Sequence, residues 1–579
     1  MQARTGAHAF VSNARGRRLD WDTVPVPRGG DERVEMRKSG WLVCGLLVLG
    51  MMTVVPPAPT PSANAAAGRP NIVVVMMDDM RWDELRFAPR VGRYITNRGL
   101  RFANSFSPLP LCCPARASFL LGQYAHNHKV MTVRKPYGFG ALNDSRTVAT
   151  RLRSSGYQTG MVGRYLNGYG RMPSRVTGKA SMLYKPAGWT DWKASLETKW
   201  PRGSRYSGGT YNYRSFTQNI NRRVVMHRGQ YSSDVIGGQA AGLIGKYHRK
   251  AAPFFLWVTP VAPHAGAPWE KRDPRNFRKA NGYVQEFPTP YTPAWVRGRF
   301  DRAVTHAPGV PLRRPAERDI SDKPGSFRNF LENTRTEKLR LRAVARQRAE
   351  AIYAWDAQFG RMISALKRTG EYANTVLLFT SDNGYYLGEH RHPAGKVTHH
   401  EVSSRVPLVV AGPGVRRGVR YSPAMTHDLT STLLDIANAA PLPNMDGTSL
   451  WPVMTGADQA WKRPVLLEAL WGLARTSPGF PPRLSQFGVR TGRYKYVRYS
   501  NGAEEFYDLR TDPNELTGRQ RDPAYADVKA RMVAVWNQYA ACRGAACRAP
   551  LPEDLQVNGA ALAVTESNAR RAWNLYYNR

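Results

Sequence analysis

The segment 111–122, Leu-Cys-Cys-Pro-Ala-Arg-Ala-Ser-Phe-Leu-Leu-Gly, combines residue types that could carry out chemistry on an anion. Pro114 suits the first turn of a helix, and the apolar residues after it fit a buried helical face. The pattern therefore predicts that Cys112 lies at or just before a helix N-terminus, where free N–H groups and the helix dipole favour an anion. Arg116 adds a planar, permanently positive side chain that suits oxyanions.

Acidic and amide side chains follow two apolar runs of the chain. Asp78 and Asp79 come directly after the first run, and Asp382 and Asn383 follow a later one. Either pair alone is more typical of a turn at the end of a strand. Together they offer three carboxylates and an amide oxygen, a hard oxygen set that suits Ca²⁺ or Mg²⁺ and suits thiolate-preferring metals poorly.

Three cationic or titratable residues also follow apolar runs or lie near them. Arg164 comes directly after residues 161–163, His264 lies beyond a proline-containing loop, and Lys396 precedes another run. In open α/β sheets the carboxyl ends of the strands form the ligand crevice. We therefore expect these residues to converge with the carboxylates and Cys112.

The elements that must position these residues are short apolar runs bounded by turn residues and separated by helical patterns. The clearest runs are 72–77, 161–163, 254–258, 376–379 and 407–410. This alternation predicts an α/β fold with a large mixed, mostly parallel sheet sandwiched by helices. A helix over 352–366 should bury one apolar face, and its basic stretch 340–348 is interpreted as solvated.

Beyond about residue 430 the pattern changes to short runs at 487–490, 494–499 and 504–508, separated by Gly and Asn turns. This spacing predicts a small antiparallel sheet. We expect a catalytic domain over 68–430, a C-terminal α+β subdomain over 431–548 and a tail over 549–579. The residues after Cys547 are too irregular for any element to be predicted.

The N-terminal region has the composition of an export signal. Arg37 and Lys38 precede an apolar run over 41–55, and a small-residue cleavage pattern follows at 63–65. We therefore predict a signal peptide over 36–67, an over-called extension over 1–35, and a secreted or extracytoplasmic protein. The apolar run has 15 residues, fewer than the roughly 20 that cross a bilayer, so no stable membrane span is expected.

The cysteines are informative because export implies an oxidising compartment. Cys542 and Cys547 frame a short loop, which predicts a local disulfide. Cys112 and Cys113 are adjacent, and a bridge between them would be strained, which favours a different use for this pair.

The charge of the chain favours anionic ligands. Its 84 Lys and Arg against 43 Asp and Glu give a formal net charge of +41. Such a field concentrates anions near any cleft that it lines. Nucleic acid is not expected as a partner, because the basic residues are spread along the whole chain rather than concentrated in an arm or binding module.

The arrangement Cys-x-Pro-x-Arg, followed by a helix and Leu-Gly, resembles the maturation signature of the sulfatase family. The resemblance implies that Cys112, rather than Cys113, is oxidised to formylglycine (3-oxoalanine) by a formylglycine-generating enzyme. It further implies that the hydrated aldehyde attacks sulfur through one hydroxyl and forms a sulfo-enzyme intermediate. The second hydroxyl then expels sulfate.

The same resemblance implies roles for the other candidate residues. One divalent cation, Ca²⁺ or alternatively Mg²⁺, would be held by Asp78, Asp79, Cys112, Asp382 and Asn383. The catalytic residues would be Cys112, Arg116, Arg164, His264 and Lys396, with Lys396 on sulfate and His264 protonating the departing alkoxide.

One position departs from the family pattern. The family usually has Gly-Lys where this chain has Gly163-Arg164. Arginine keeps the positive charge but essentially never loses its proton. The base that activates the diol therefore stays open, with Asn167 as a hydrogen-bonding substitute.

His126 and His128 are interpreted as part of the helix that follows the nucleophile, and His399 and His400 as lining the substrate site. A zinc pair at His399 and His400 is not favoured, because adjacent side chains tend to diverge and no carboxylate–histidine set surrounds them in the sequence.

Several longer motifs resemble the N-acetylglucosamine-6-sulfatase subfamily. They begin at Gly163, Ser381, Phe506 and Cys542. This implies hydrolysis of sulfate monoesters on sugars such as N-acetylglucosamine-6-sulfate, or of aryl sulfates. The sugar pocket would be built from variable loops such as the insertion 266–333. Two alternatives stay open: a phosphonate or phosphate ester hydrolase with the same site, and a non-catalytic binder of sulfated glycans.

Overall fold

The computed structural model describes residues 68–280, 282, 284–310, 315–328, 330–456, 460–470 and 484–577. The predicted extension (1–35) and signal peptide (36–67) lie outside these residues. Within the described residues, no helix combines the length and the apolar character needed to cross a membrane.

In the described residues, the strands form one large sheet and three smaller ones. They are β1 (Asn71–Met77), β2 (Leu100–Phe102), β3 (Ser105–Phe106), β4 (Gln158–Arg164), β5 (Asp191–Ser195), β6 (Ser215–Ile220), β7 (Arg223–Arg228), β8 (Phe254–Thr259), β9 (Phe277–Arg278), β10 (Val284–Gln285), β11 (Thr375–Ser381), β12 (Leu408–Ala411), β13 (Gly418–Arg420), β14 (Ala424–Met425), β15 (Val465–Ala469), β16 (Gln486–Arg490), β17 (Tyr494–Tyr499) and β18 (Glu504–Asp508). The large sheet has ten strands in the order β13-β2-β12-β11-β1-β8-β4-β5-β6-β7.

The α-helices lie between these strands and after them. They are α1 (Pro89–Val91), α2 (Cys112–Leu121), α3 (Ala125–His128), α4 (Val148–Ser154), α5 (Ser232–Tyr247), α6 (Gly325–Arg328), α7 (Arg335–Arg368), α8 (Glu401–Ser404), α9 (Asp428–Ile436), α10 (Trp451–Thr455), α11 (Ala526–Tyr539) and α12 (Gly559–Tyr577). His126 and His128 do not belong to the helix that follows the nucleophile, because that helix, α2, ends at Leu121; both lie in the separate short helix α3.

The central strands are buried on both faces, which explains why β1 is a continuous apolar run. Val73 and Val75 pack in one core with residues of α5 and α7, whereas Ile72 and Val74 pack in a second core with residues of α2, α4 and α9. Side chains alternate between faces along a strand. Helices therefore cover both faces, and the predicted sandwich is confirmed.

The five predicted strands all exist and belong to the large sheet. β11, β1, β8, β4 and β5 run parallel to their neighbours within this group. β12, the strand predicted at 407–410, is antiparallel to both β11 and β2. The sheet is therefore mixed and mostly parallel at its centre.

Helix α7 buries the predicted apolar face, including Ile352, Trp355 and Phe359. The interpretation of its basic stretch as solvated is wrong at Arg348, which is buried and forms an ion pair with Glu84. A guanidinium tolerates burial when a carboxylate and further acceptors satisfy it.

The predicted C-terminal antiparallel sheet is confirmed as β15-β16-β17-β18. Helix α11 packs on it through Met532, Val535 and Trp536. Helix α9 runs across residue 430 and packs against the large sheet, and the proposed domain limits stay predictions.

After Cys547, where no element could be predicted from the sequence, the structure has the 19-residue helix α12. Its Trp573 and Tyr577 pack with Tyr386 and Val402. Glu566 of α12 also forms an ion pair with Arg405. The predicted Cys542–Cys547 disulfide is present, whereas Cys112 and Cys113 form no disulfide with any cysteine in residues 68–577 that the structure describes.

Candidate active site

The carboxyl ends of β1 and β11 bring the two acidic pairs together. Met77 and Ser381 are partners in the parallel register, so the residues that follow them lie side by side. The Asp79 backbone N–H donates to Asp382 Oδ1 at 3.1 Å, and Asn383 Nδ2 donates to Asp79 Oδ1 at 2.8 Å. Both pairs are buried.

Helix α2 begins at Cys112, as the proline pattern predicts, and places this side chain against the carboxylates. Cys112 Sγ lies 3.3 Å from Asp78 Oδ1 and 3.7 Å from Asp79 Oδ1. Cys113 points elsewhere: its Sγ lies 3.8 Å from the Asn167 carbonyl. The two neighbouring thiols therefore have different surroundings, and Cys112 is the one at the carboxylates.

Three cations surround this group. Arg116 Nε donates to Asp382 Oδ2 at 2.8 Å, and Arg164 forms an ion pair with Asp78. Lys396 forms an ion pair with Asp79, and its Nζ lies 2.9 Å from Cys112 Sγ. The predicted residues thus meet in one cluster, although they come from five separate parts of the chain.

His264 lies at the more open side of the cluster, with 22% of its side chain exposed. Its Nε2 lies 3.7 Å from Asp79 Oδ2. Its Nδ1 lies 2.7 Å from the carbonyl of Ala265. Because a carbonyl only accepts, Nδ1 carries a proton and Nε2 is directed toward the site. Burial lowers the pKa of His264 despite the two nearby aspartates.

Burial raises the pKa values of the carboxylates, whereas the nearby cations lower them. Burial alone would raise the pKa of Asp78, but Arg164 and the other nearby cations outweigh it and hold that pKa well below its usual range. For Asp382, burial and the neighbouring charge of Asp78 together raise the pKa to about 6. Burial also raises the pKa of the Cys112 thiol well above its usual value. An unmodified thiol here would stay protonated and be a poor nucleophile.

The donor set fits a hard divalent cation. Asp78, Asp79, Cys112 and His264 offer ligand atoms that all lie within 4.8 Å of one another. Asn383 Oδ1 is buried and has no hydrogen-bond partner among the described residues. An unsatisfied buried amide oxygen beside three carboxylates matches the oxygen ligands of Ca²⁺ and Mg²⁺.

Tyr211 belongs to the site although no sequence pattern points to it. Its hydroxyl lies 2.7 Å from Asn167 Nδ2 and also contacts Arg164 NH2. Its ring stacks on the imidazole of His264, with ring centroids 4.5 Å apart. Tyr211 therefore links the cationic and the imidazole sides of the cluster.

Asn167 holds Arg164 in place rather than facing Cys112. Arg164 NH2 donates to Asn167 Oδ1 at 2.7 Å, and Asn167 Nδ2 donates to Glu197 Oε1 at 2.9 Å. The guanidinium thus has partners in Asp78, Asn167 and Tyr211. A lysine ammonium would not match this planar arrangement.

Arg348 supports the turn that carries Asp79. The backbone of Asp79 is in the left-handed region, with φ of 68°, which is uncommon for a residue other than glycine. Arg348 NH2 donates to the Asp79 carbonyl at 2.6 Å, and its Nε donates to Glu84 Oε1 at 2.7 Å. This buried ion pair fixes the carbonyl and hence the direction of the Asp79 side chain.

The substrate-lining interpretation of His399 and His400 is wrong, because both side chains are buried. The expectation that they diverge is also wrong. Both Nε2 atoms lie near one carboxylate oxygen of Glu505, at 3.4 and 3.3 Å.

The fold and this cluster define an α/β protein in which buried carboxylates and an amide oxygen that could hold a metal lie beside a cysteine at a helix N-terminus. A family model described as Sulfatase matches residues 70–439, and a second, described as N-sulphoglucosamine sulphohydrolase, C-terminal, matches residues 388–541. The chain belongs to the sulfatase family of enzymes, which hydrolyse sulfate esters.

The chain is similar to several curated sulfatases over most of its length. It is 28% identical to an arylsulfatase of Volvox carteri, covering 88% of this chain and 79% of that protein. It is 29% identical to the N-acetylglucosamine-6-sulfatase of Homo sapiens, covering 84% of this chain and 88% of that protein.

Solved structures share the fold at lower identity. One was determined in complex with its substrate D-glucosamine-2-N,6-O-disulfate; it has a TM-score of 0.58 and 21% identity, covering 81% of this chain and 96% of its own. The phosphonate monoester hydrolase of Silicibacter pomeroyi has a TM-score of 0.56 and 22% identity, covering 81% of this chain and 94% of its own.

Proposed function

We propose that the protein hydrolyses sulfate monoesters on sugars of the N-acetylglucosamine-6-sulfate type, with Cys112 oxidised to formylglycine as its nucleophile. The observation that carries this proposal is the position of Cys112. Its Sγ lies at the N-terminus of α2, 3.3 Å from Asp78 and 2.9 Å from Lys396. A nucleophile there has carboxylates to hold a cation and positive groups to bind an anion.

The cationic side chains would bind the sulfate group. Lys396 contacts Cys112, Arg164 forms an ion pair with Asp78, and Arg116 forms an ion pair with Asp382. Three positive charges in a buried site stabilise an anion far more than they would in water. They would position sulfur for in-line attack and stabilise the charge on its oxygens.

Each hydroxyl of the diol acts in one of the two steps of the reaction. One hydroxyl of the hydrated residue 112 attacks sulfur as its proton passes to the unprotonated Nε2 of His264, the ester S–O bond breaks, and the same proton passes from Nε2 to the departing sugar oxygen. The second hydroxyl then gives its proton to Nε2 as its oxygen forms the aldehyde C=O, sulfate leaves with the shared oxygen, and His264 releases that proton to solvent. Water adds to the aldehyde and restores the diol.

A divalent cation, Ca²⁺ or alternatively Mg²⁺, would be held by Asp78, Asp79, Asp382, Asn383 and the oxygen of residue 112. When bound, it supplies positive charge that lowers the pKa of a coordinated hydroxyl and orients it. Asn383 Oδ1, which has no hydrogen-bond partner in the described part of the chain, supports this assignment.

The substrate class is supported by the relatives and by charge. A human relative is named N-acetylglucosamine-6-sulfatase, and a structural neighbour binds a disulfated glucosamine. The net charge of +41 favours an anionic glycan. A relative in Drosophila melanogaster, 28% identical over 70% of this chain and 34% of that protein, is named an extracellular sulfatase homologue, which supports secretion.

A phosphonate or phosphate ester is the second candidate substrate, favoured by the fold shared with the phosphonate monoester hydrolase. Relative kcat/KM values for aryl sulfate, aryl phosphate and aryl phosphonate esters distinguish the two. A preference for the sulfate supports our proposal, and a preference for the phosphonate contradicts it.

The deciding experiment is mass spectrometry on the peptide that contains Cys112, from chain co-expressed with a formylglycine-generating enzyme. Conversion to the aldehyde lowers the residue mass by about 18 Da. The converted protein should hydrolyse 6-sulfated N-acetylglucosamine, and Cys112→Ala should abolish this while Cys113→Ala keeps it. Activity that survives Cys112→Ala, or converted protein inactive on every sulfate ester, would contradict the proposal.

A further inference from the structure

A second cluster of potential metal ligands lies where the large and small sheets meet. It consists of His399 and His400, just before α8, and Glu505 of β18, and we call it the His-Glu cluster. The three side chains are at most 1% exposed. Their ligand atoms lie within 4.8 Å of one another. The cluster shares no residue with the candidate active site.

The Nδ1 atoms of both imidazoles, which face away from Glu505, already have partners. His399 Nδ1 lies 3.0 Å from Gln486 Oε1, and His400 Nδ1 lies 2.6 Å from the hydroxyl of Tyr386. An amide oxygen only accepts, so His399 Nδ1 carries the proton and a neutral His399 has its lone pair on Nε2. A second partner of this kind fixes the tautomer in metal-bound histidines.

The Nε2 atoms of the two imidazoles have no hydrogen-bond partner among the described residues, although both are buried. They lie 3.4 and 3.3 Å from Glu505 Oε2. A neutral His399 would direct a lone pair at a carboxylate, which is unfavourable in a buried site.

These separations match a tetrahedral zinc site. Ligand atoms that lie about 2.0–2.1 Å from a tetrahedral zinc are about 3.3–3.4 Å apart. The carboxylate is also held from outside, since Tyr499 and Tyr507 donate to its two oxygens. Two imidazoles and one carboxylate suit Zn²⁺, whereas Ca²⁺ prefers six to eight oxygens.

We infer that the His-Glu cluster is a second metal site, in which His399 Nε2, His400 Nε2 and Glu505 bind Zn²⁺. This inference does not depend on the proposed function. The ion would join the segment after Lys396 to β18 of the small sheet. Because Lys396 contacts Asp79 and Cys112 three residues before His399, the same ion would help to fix the active-site lysine.

The first test is the zinc content of the full-length wild-type chain. The protein is dialysed with Zn²⁺ in the presence of excess Ca²⁺, which occupies the oxygen-ligand site, and is then desalted for elemental analysis. We expect about one zinc per chain. Wild-type protein that keeps less than about a tenth of this would overturn the inference. The cluster would then be a charged histidine–glutamate network.

Variants locate the ion. His399→Gln and Glu505→Gln should each lower the retained zinc at least tenfold, whereas Asp382→Asn in the active site should leave it unchanged. The matched control is His126→Gln, because His126 is also a buried histidine in contact with a glutamate, Glu468. Zinc lost from Asp382→Asn but kept by His399→Gln would place the ion in the active site and overturn the inference.

A spectroscopic test needs no variant and therefore does not depend on variant folding. Co²⁺ added to the Ca²⁺-saturated wild-type chain should give the visible absorption of tetrahedral cobalt, saturating near one equivalent, and Zn²⁺ should displace it. Absorption typical of octahedral cobalt, or none, would contradict the proposed ligand set.

Discussion

Acid should weaken the packing of the helix that carries Cys112 through one buried imidazole, that of His128. The Val130 backbone N–H donates to His128 Nδ1 at 3.1 Å, so Nδ1 must be unprotonated. His128 Nε2 lies 2.9 Å from Ser118 Oγ, in helix α2. Protonation of Nδ1 would place an N–H against an N–H in a buried site. Burial accordingly lowers the pKa of His128 to about 3.

The sign and size of the effect follow from this value. The folded-state pKa lies below the ordinary value of 6.5, so the contribution of neutral His128 to stability is fully present above pH 6.5 and is lost as the pH falls toward 3. From the difference between these two pKa values, we expect the free energy of unfolding to fall by about 2 kcal/mol by pH 5. Once the pH lies below the folded-state pKa, the total decrease would be about 5 kcal/mol.

Urea unfolding of wild type and His128→Asn at pH 7.5 and pH 5, followed by tryptophan fluorescence, measures this contribution. The asparagine Oδ1 can still accept from the Val130 N–H, but it does not titrate. The variant should be less stable at pH 7.5 by about 1 kcal/mol, for the lost contact with Ser118. Its further loss on going to pH 5 should be about 2 kcal/mol smaller than that of wild type.

His126→Asn provides a control of opposite sign. Burial alone would lower the pKa of His126, but Glu468 outweighs it and raises that pKa above 6.5. Its contribution is therefore present below pH 6.5 and lost as the pH rises through the folded value. Equal losses of stability in wild type and His128→Asn between pH 7.5 and pH 5 would refute the reasoning.

Three further predictions concern the active site. Arg164→Lys should lower kcat/KM for an aryl sulfate by about 10- to 100-fold, because an ammonium cannot contact Asp78, Asn167 and Tyr211 together. An unchanged kcat/KM would contradict a need for the planar guanidinium of Arg164. Arg348→Met should lower the free energy of unfolding by about 3–5 kcal/mol, because it leaves the buried carboxylate of Glu84 without this guanidinium. Denaturant unfolding measures this change, and a decrease below about 1 kcal/mol would contradict the prediction. Removal of bound metal with a chelator should abolish activity and lower Tm, and added Ca²⁺ should restore both. The Tm changes because an ion that binds only the folded state stabilises that state. Full activity in metal-free protein would contradict a role for the cation.

Several features of this protein were determined by the sequence alone because they depend on local patterns. Apolar runs with turn residues at their ends predicted the five strands of the large sheet, and Pro114 predicted that a helix begins near Cys112. The meeting of the two acidic pairs was also predictable, because each pair follows a predicted strand and the carboxyl ends of parallel strands meet at one edge of the sheet. The six-residue disulfide loop at Cys542 was predictable for the same local reason.

The tertiary structure alone decided which distant side chains meet. Arg348 reaches the Asp79 carbonyl across 269 positions of sequence, from a basic helix segment that looked solvated. Tyr211 contacts Arg164 from a stretch with no distinctive spacing. Helix α12 follows a disulfide in a region whose composition gave no clear period. Such contacts depend on packing geometry, which residue spacing does not encode.

The adjacent histidines show this division most clearly. Spacing along the chain indicated that His399 and His400 diverge, yet both face Glu505 from before a short helix. A third element, the strand β18 of the small sheet, supplies the carboxylate from more than one hundred positions away. Local sequence limits which residue types are available, whereas the docking of separately formed elements decides which of them share one buried site.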